Sequence, residues 1–218
     1  MKTNKKRGAV ATIYNKERTK SKLIRAVGEI LVKEGHQNIR INKIEEVSGV
    51  AKKCIYDYFG GLEGLIKAYL DQVDFWKVVE HQLGAKENTA LPDINVDFMF
   101  DLLKNDFQYF LKSTEMQKIV LWGISEKNKT IRMMNEDSEK LGEQIFEKAD
   151  EKFEETEVDF RATIAIFVAS IYYMILHSKN NGSTMCGIDI SNEEGKNRIF
   201  NALKRLLNLT YKNANDKF

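Results

Sequence analysis

An all-α fold is what this sequence predicts, and three observations carry the prediction. Apolar residues recur at three-and-four spacing along most of the chain. Lys, Glu, Leu and Ile are abundant, while the 218 residues hold a single proline, Pro92. No strand-length alternation or hairpin dipeptide interrupts the helical pattern. With 43% apolar residues, a chain of this length can bury a substantial core without disulfide staples.

The elements follow in order. Residues 1–16, MKTNKKRGAVATIYNK, read as a basic flexible tail. Leu23, Ala26, Val27, Ile30 and Leu31 then form one stripe, and Gly35 suits a left-handed stop, so a first helix is expected from about Glu17 to Glu34. In INKIEEVSGVAKKCIYDYFGG, Ile41–Gly61, two short apolar patterns flank a glycine. Asn42 and Glu45 stand at the spacing of a capping box, which predicts a short helix from about Lys43. Ile44 and Val47 face inward, Gly49 turns the chain without a Cβ penalty, and Val50 re-enters the core. A second short helix, Ala51 to about Phe59, turns Ile55, Tyr58 and Phe59 inward and leaves Lys52, Lys53 and Cys54 exposed. Leu62, Leu65, Ile66, Tyr69, Leu70, Val73 and Trp76 predict a connecting helix over 62–82, and LGAKENTALPDIN reads as a junction. Further helices are expected at about Val96–Lys112, Glu115–Glu126, Glu136–Glu155, Asp159–Ser178 and Asn192–Asn213.

Charge and composition narrow the function. Residues 1–60 carry 14 Lys or Arg against 6 Asp or Glu, whereas residues 61–218 carry 20 against 26. A basic front on an acidic body suggests that the front meets a polyanion. Cys54 and Cys186 match no metal or redox spacing, and ATIAIFVASIYYMIL is too short to cross a bilayer, so the expected location is the cytoplasm. His36, His81 and His177 are scattered, and no HExxH, phosphate loop or nucleophile elbow occurs. No catalytic residue, metal site or cofactor is therefore expected.

Two short helices around a glycine turn are the pattern of a helix-turn-helix, whose second helix enters the major groove of double-stranded DNA. Lys52 and Lys53 at the start of that helix oppose its dipole, a cost that phosphate contact would offset. Tyr56 can lie along the sugar-phosphate backbone and donate to a phosphate oxygen. The competing readings are a helical interaction protein with a degenerate helix-turn-helix, and a DNA-binding protein controlled by a protein partner.

INKIEEVSGVAKKCIYDYFGGLEGLIKAYL resembles the N-terminal domain of the TetR family of transcriptional regulators. Gly49-Val50, Ile55-Tyr56, Tyr58-Phe59, Glu63 and Leu65 match at the family's spacing. The resemblance implies a three-helix DNA-binding domain over 17–61 and a helical ligand-binding and dimerisation domain over 62–218. The candidate DNA contacts are Arg40, Asn42, Lys43, Ala51, Lys52, Lys53, Cys54, Tyr56 and Tyr58. Departures are visible: Glu45 replaces a usual Ala where the short helices approach, Ala51 and Cys54 replace hydroxyl residues, and Leu62 replaces a frequent Lys. The Glu45 carboxylate must bend outward, or the helices must sit slightly apart.

The resemblance further implies a homodimer paired through the apolar 162–176 helix and the last helix, with Ile166, Ser170, Tyr173, Ile199, Leu203 and Leu206 as candidate interface residues. It also implies a small apolar or amphipathic effector that releases a repressor from a palindromic operator. Phe107, Phe110 and Trp122 are the candidate lining residues. A two-fold dimer is independently reasonable, because one helix-turn-helix reads only a few base pairs.

Overall fold

The computed structural model describes residues 3–73, 92–180, 182 and 184–215. Nine α-helices and no strand occur among the described residues, apart from an isolated bridge between Met185 and Ile188. The helices are α1 Thr3–Glu34, α2 Ile41–Ser48, α3 Lys53–Phe59, α4 Leu62–Val73, α5 Val96–Lys112, α6 Thr114–Ser125, α7 Lys129–Phe153, α8 Phe160–Asn180 and α9 Glu193–Asn215. A 3₁₀ turn, His36–Asn38, joins α1 to α2.

Two expected boundaries move substantially: α7, expected from about Glu136, begins at Lys129, and the N-terminal segment changes more. Helix α1 begins at Thr3, so the segment expected as a flexible tail is helical. The physical reason is that nothing in TNKKRGAVATIYNK stops a helix: it has no proline, and Gly8 alone is a weak breaker. The later part of the expected 62–82 connecting helix, and most of the junction before Pro92, lie outside the described residues.

The chain divides into two compact units, one of Met1–Asp74 with Lys118–Met134, the other of Phe75–Gln117 with Asn135–Phe218. A single division after residue 61 is therefore not what is found. Helix α4 joins the first unit because Leu65, Ile66, Tyr69 and Leu70 bury there, and Ile119, Trp122 and Ile131 are buried as well. Helix α1 supplies the unit's longest stripe, Leu23, Ala26, Val27, Ile30 and Leu31, and packs against α2 and α4.

In the second unit, α5 packs against both α8 and α9. Phe107 meets Phe200 edge-to-face at 5.0 Å, and Phe110 stacks on Tyr172 at 4.5 Å. Asn95 caps α5 by accepting from the Phe98 N–H, while buried Gln117 donates to the carbonyls of Phe110 and Leu111 at its other end. Phe153, Phe160 and Tyr211 form a second aromatic group, and Tyr211 donates to the Ile94 carbonyl at 3.0 Å. Arg161 reaches both Glu143 and Asp150, holding the start of α8 to α7.

Helix α8 is 21 residues long and, by length and composition, apolar enough to cross a membrane, which corrects the expectation that its apolar core is too short. Its inward stripe of Phe160, Ile164, Phe167, Ile171 and Ile175 is buried in the unit.

Candidate nucleic-acid interface

The site is built on the turn between α2 and α3. Gly49 closes α2 in the left-handed region, φ 65° and ψ 20°, and donates its N–H to the Glu45 carbonyl at 3.0 Å. A side chain there would cost about 1–2 kcal/mol. The Ser48 hydroxyl then accepts from the Val50 N–H at 3.1 Å, which tightens the turn.

Glu45 answers the packing question that the sequence raises. Its carboxylate bends out of the helix contact and accepts from the Lys52 backbone N–H at 2.9 Å. It thereby ties α2 to the first turn of α3. The expected capping box is absent: Arg40, in extended conformation, stands at the N-cap of α2 with no side-chain cap bond. Glu45 is drawn away to the better-placed donor at Lys52. The same bond occupies an amide that the sequence left open for phosphate.

Helix α3 starts at Lys53 rather than Ala51, and Ile55, fully buried, anchors it. Ala51, Lys52 and Lys53 are exposed, and Tyr56, 54% exposed, lies three and four residues beyond the lysines on the same helix face. Two cations and a phenol therefore project from one surface. Helix α4 enters close behind: a Cβ on Gly64 would fall 1.9 Å from the Phe59 carbonyl oxygen, so only glycine fits this approach.

The remaining candidate contacts separate into available and occupied groups. Asn42 is exposed, and Arg40 is exposed with its Nε donating to the Gln37 carbonyl at 3.1 Å. Lys43 is held between Glu34 and Glu46, each at 3.2 Å, and the hydrogen bonds its ammonium donates to these carboxylates raise its pKa. Cys54 is half-buried rather than exposed, which withdraws most of its thiol from the surface. Tyr58 is half-buried beneath Lys16, whose ammonium lies 5.4 Å from the ring centroid.

Of the three candidate lining residues, Phe107 and Phe110 fall in the second unit and Trp122 in the first. The Trp122 ring stacks on His36 at 5.1 Å and its indole N–H donates to Glu126 at 2.6 Å. His36 Nε2 also lies 3.4 Å from Glu126, so the 3₁₀ turn before α2 is braced by the end of α6. Phe107 and Phe110 are fully buried in the second unit. Immediately before Phe107 lies a side chain that the expectations missed: Asp106, 4% exposed, with Tyr172 donating to it at 3.4 Å. Its place on the apolar face, three residues from Leu103 and four from Phe110, was a readable signal.

On α8, Ile166 is 67% exposed and Tyr173 62% exposed, with Ala162, Ala165, Ala169 and Ser170 exposed on the same stripe. On α9, Leu206 and Leu209 are exposed and Ile199 is half-buried. Leu203, expected at an interface, turns inward and is buried within its own unit.

No family model matches the chain. It is 27% identical over 147 residues to an uncharacterized HTH-type transcriptional regulator in the lacX 3′ region of Lactococcus lactis subsp. lactis, covering 66% of this chain and 70% of that protein. Its fold is similar to a Clostridium perfringens protein provisionally described as a fatty acid metabolism regulator, with TM-score 0.60 and 15% identity over 84% of this chain and 97% of that one. It is likewise similar to NalD, the secondary repressor of the MexAB-OprM multidrug efflux pump in Pseudomonas aeruginosa, with TM-score 0.58 and 14% identity over 88% and 96% of the two chains. At these identities the structural likeness establishes the all-α fold.

Proposed function

We propose that this protein is a TetR-like transcriptional repressor that binds a palindromic operator in double-stranded DNA as a cytoplasmic homodimer and releases it when a small molecule occupies the second unit. One observation carries the reading: Lys52, Lys53 and Tyr56 project from a short helix whose position is fixed by Gly49, Glu45 and Gly64. Lysines neutralise phosphates and the phenol sets register, while the exposed edge of α3 is presented to the groove.

The outward apolar stripe of α8 supports the dimer. Membrane insertion fits poorly, because Arg161 ties this helix to Glu143 and Asp150, and Tyr172 ties it to Asp106. A second copy would cover Ile166 and Tyr173 and set two reading heads on one duplex. Phe107 and Phe110 supply an apolar interior for an effector, and tens-fold release requires about 2 kcal/mol of preference for the non-binding conformation.

Fluorescence anisotropy across salt concentrations tests the reading, with duplex from upstream of the gene, library-selected duplex and scrambled duplex. The expected result is a preference of about 10³ or more for one duplex over scramble. Equal, weak, salt-sensitive binding to all three would instead identify a helical interaction protein with a degenerate helix-turn-helix.

A further inference from the structure

Asp106 is a buried carboxyl on an otherwise apolar helix face. It sits on α5 between Leu103, Phe107 and Phe110, all buried, and is itself 4% exposed. Among the described residues its hydrogen-bond partner is the Tyr172 hydroxyl, at a long 3.4 Å. No lysine or arginine among them forms an ion pair with it. From α9, Lys204 goes to Asp97 and the Phe100 ring, and Lys104 of α5 lies against Phe100 and Phe200. From α6, Gln117 is spent on the end of α5. A buried carboxylate without a cation is costly, and ordinarily such a group is paired or kept neutral.

The surroundings complement a positive charge. Phe110 stacks on Tyr172, whose hydroxyl points at the carboxyl, so aromatic rings and an anion converge from α5 and α8. Aromatic faces attract cations, most strongly when desolvated. We propose that Asp106, Phe110 and Tyr172 form the head-group subsite for an organic cation with an apolar body, such as a lipophilic amine or quaternary ammonium compound. This assignment rests on the reading of the second unit as the effector-binding part. It sets this chain apart from a regulator answering to a fatty acid, because above about pH 7, where Asp106 is ionised, a ligand carboxylate beside it would place two like charges in a dry interior.

Matched probes test it. Dodecyltrimethylammonium and dodecanoate share a chain and differ in head-group charge, and both are titrated calorimetrically, below micelle formation, into the full-length protein without DNA. The expected result is cation binding about tenfold or more tighter than dodecanoate, with Asp106→Asn erasing that preference while the far-UV spectrum is unchanged. Equal cation binding by Asp106→Asn, or tighter binding of dodecanoate, overturns the subsite.

Should that variant fail to fold, the wild-type protein gives the same answer by pH. Burial raises the Asp106 carboxyl to about 7, and the Tyr172 hydrogen bond only partly opposes this. A quaternary ammonium does not titrate, so its affinity should rise from pH 6 to pH 8 as Asp106 loses its proton. A flat profile overturns the proposal. Anisotropy with operator duplex separates the two readings: cation bound through Asp106 without release of DNA refutes the effector role and leaves the subsite standing.

Discussion

The two units solve different problems with different parts. In the first, short helices too small to be stable alone are fixed by backbone devices: a left-handed Gly49, a close approach at Gly64, and the Glu45 carboxylate on the Lys52 amide. In the second, long helices are held by side chains from distant parts of the sequence, among them Tyr172 on Asp106, Tyr211 on Ile94 and Arg161 on Asp150. The difference teaches where sensitivity should lie. The reading head is vulnerable to single backbone changes, whereas the body is vulnerable at surfaces and buried charges.

The largest expected effect breaks the body's exposed stripe. Ile166→Glu combined with Tyr173→Glu places two charges on the outer face of α8 while leaving the buried stripe intact. Sedimentation should show a monomer, and operator affinity should fall by about 10²–10⁴-fold as the linkage between two heads is lost. A dimer that survives the change with full affinity would assign this face to something other than a second copy. Next in size is Gly64→Ala in the head. The added Cβ meets the Phe59 carbonyl oxygen, a backbone atom that cannot move alone. Chemical denaturation should show a loss of about 1–3 kcal/mol, with DNA binding weakened in step.

Glu45→Ala comes third and sharpens the comparison, since it restores the residue usual at this position in the resembled family yet removes a bond that this chain has come to use. The Lys52 amide loses its acceptor, and a loss of about 1 kcal/mol, the worth of a helix cap, is expected. Glu45→Gln keeps a carbonyl acceptor and should recover most of it. If alanine proves as stable as glutamate, α3 is positioned by packing at Ile55 alone.

Much of the head was legible because its determinants are local. Gly49 ends α2 where the sequence places it, and Ile44 and Ile55 are buried as their spacing requires. What escaped was the competition for Glu45: within α2 the residue reads as half of a capping box, and only the folded turn brings the Lys52 amide within reach, seven residues away. Lys43 and Tyr58 escaped for a similar reason, since Glu34 and Lys16 reach them from α1. In the body, helix positions followed from periodicity, and α5 spans the expected Val96–Lys112. Partner choice did not follow. Nothing near Trp122 in the sequence announces His36, and nothing near Asp106 announces Tyr172, 66 residues on.

Two smaller effects separate charge from geometry on α3. Lys52→Ala removes an exposed ammonium without touching the Glu45 bond, which uses the backbone N–H. Its affinity loss should be several-fold and should vanish toward high salt, the slope of log affinity against log salt falling by about one charge's worth. Tyr56→Phe is smaller still. The ring is exposed and contributes nothing to the core around Ile55, so stability should be unchanged. The hydroxyl can donate to one phosphate oxygen, and its loss should weaken binding by about two- to tenfold, as for a single hydrogen bond of about 0.5–1.5 kcal/mol. Because phosphates are alike in every sequence, the ratio of specific to scrambled binding should hold constant and the salt slope should not move. A changed ratio would place Tyr56 at a base edge, and α3 would then read sequence at a position where this surface is expected only to be anchored.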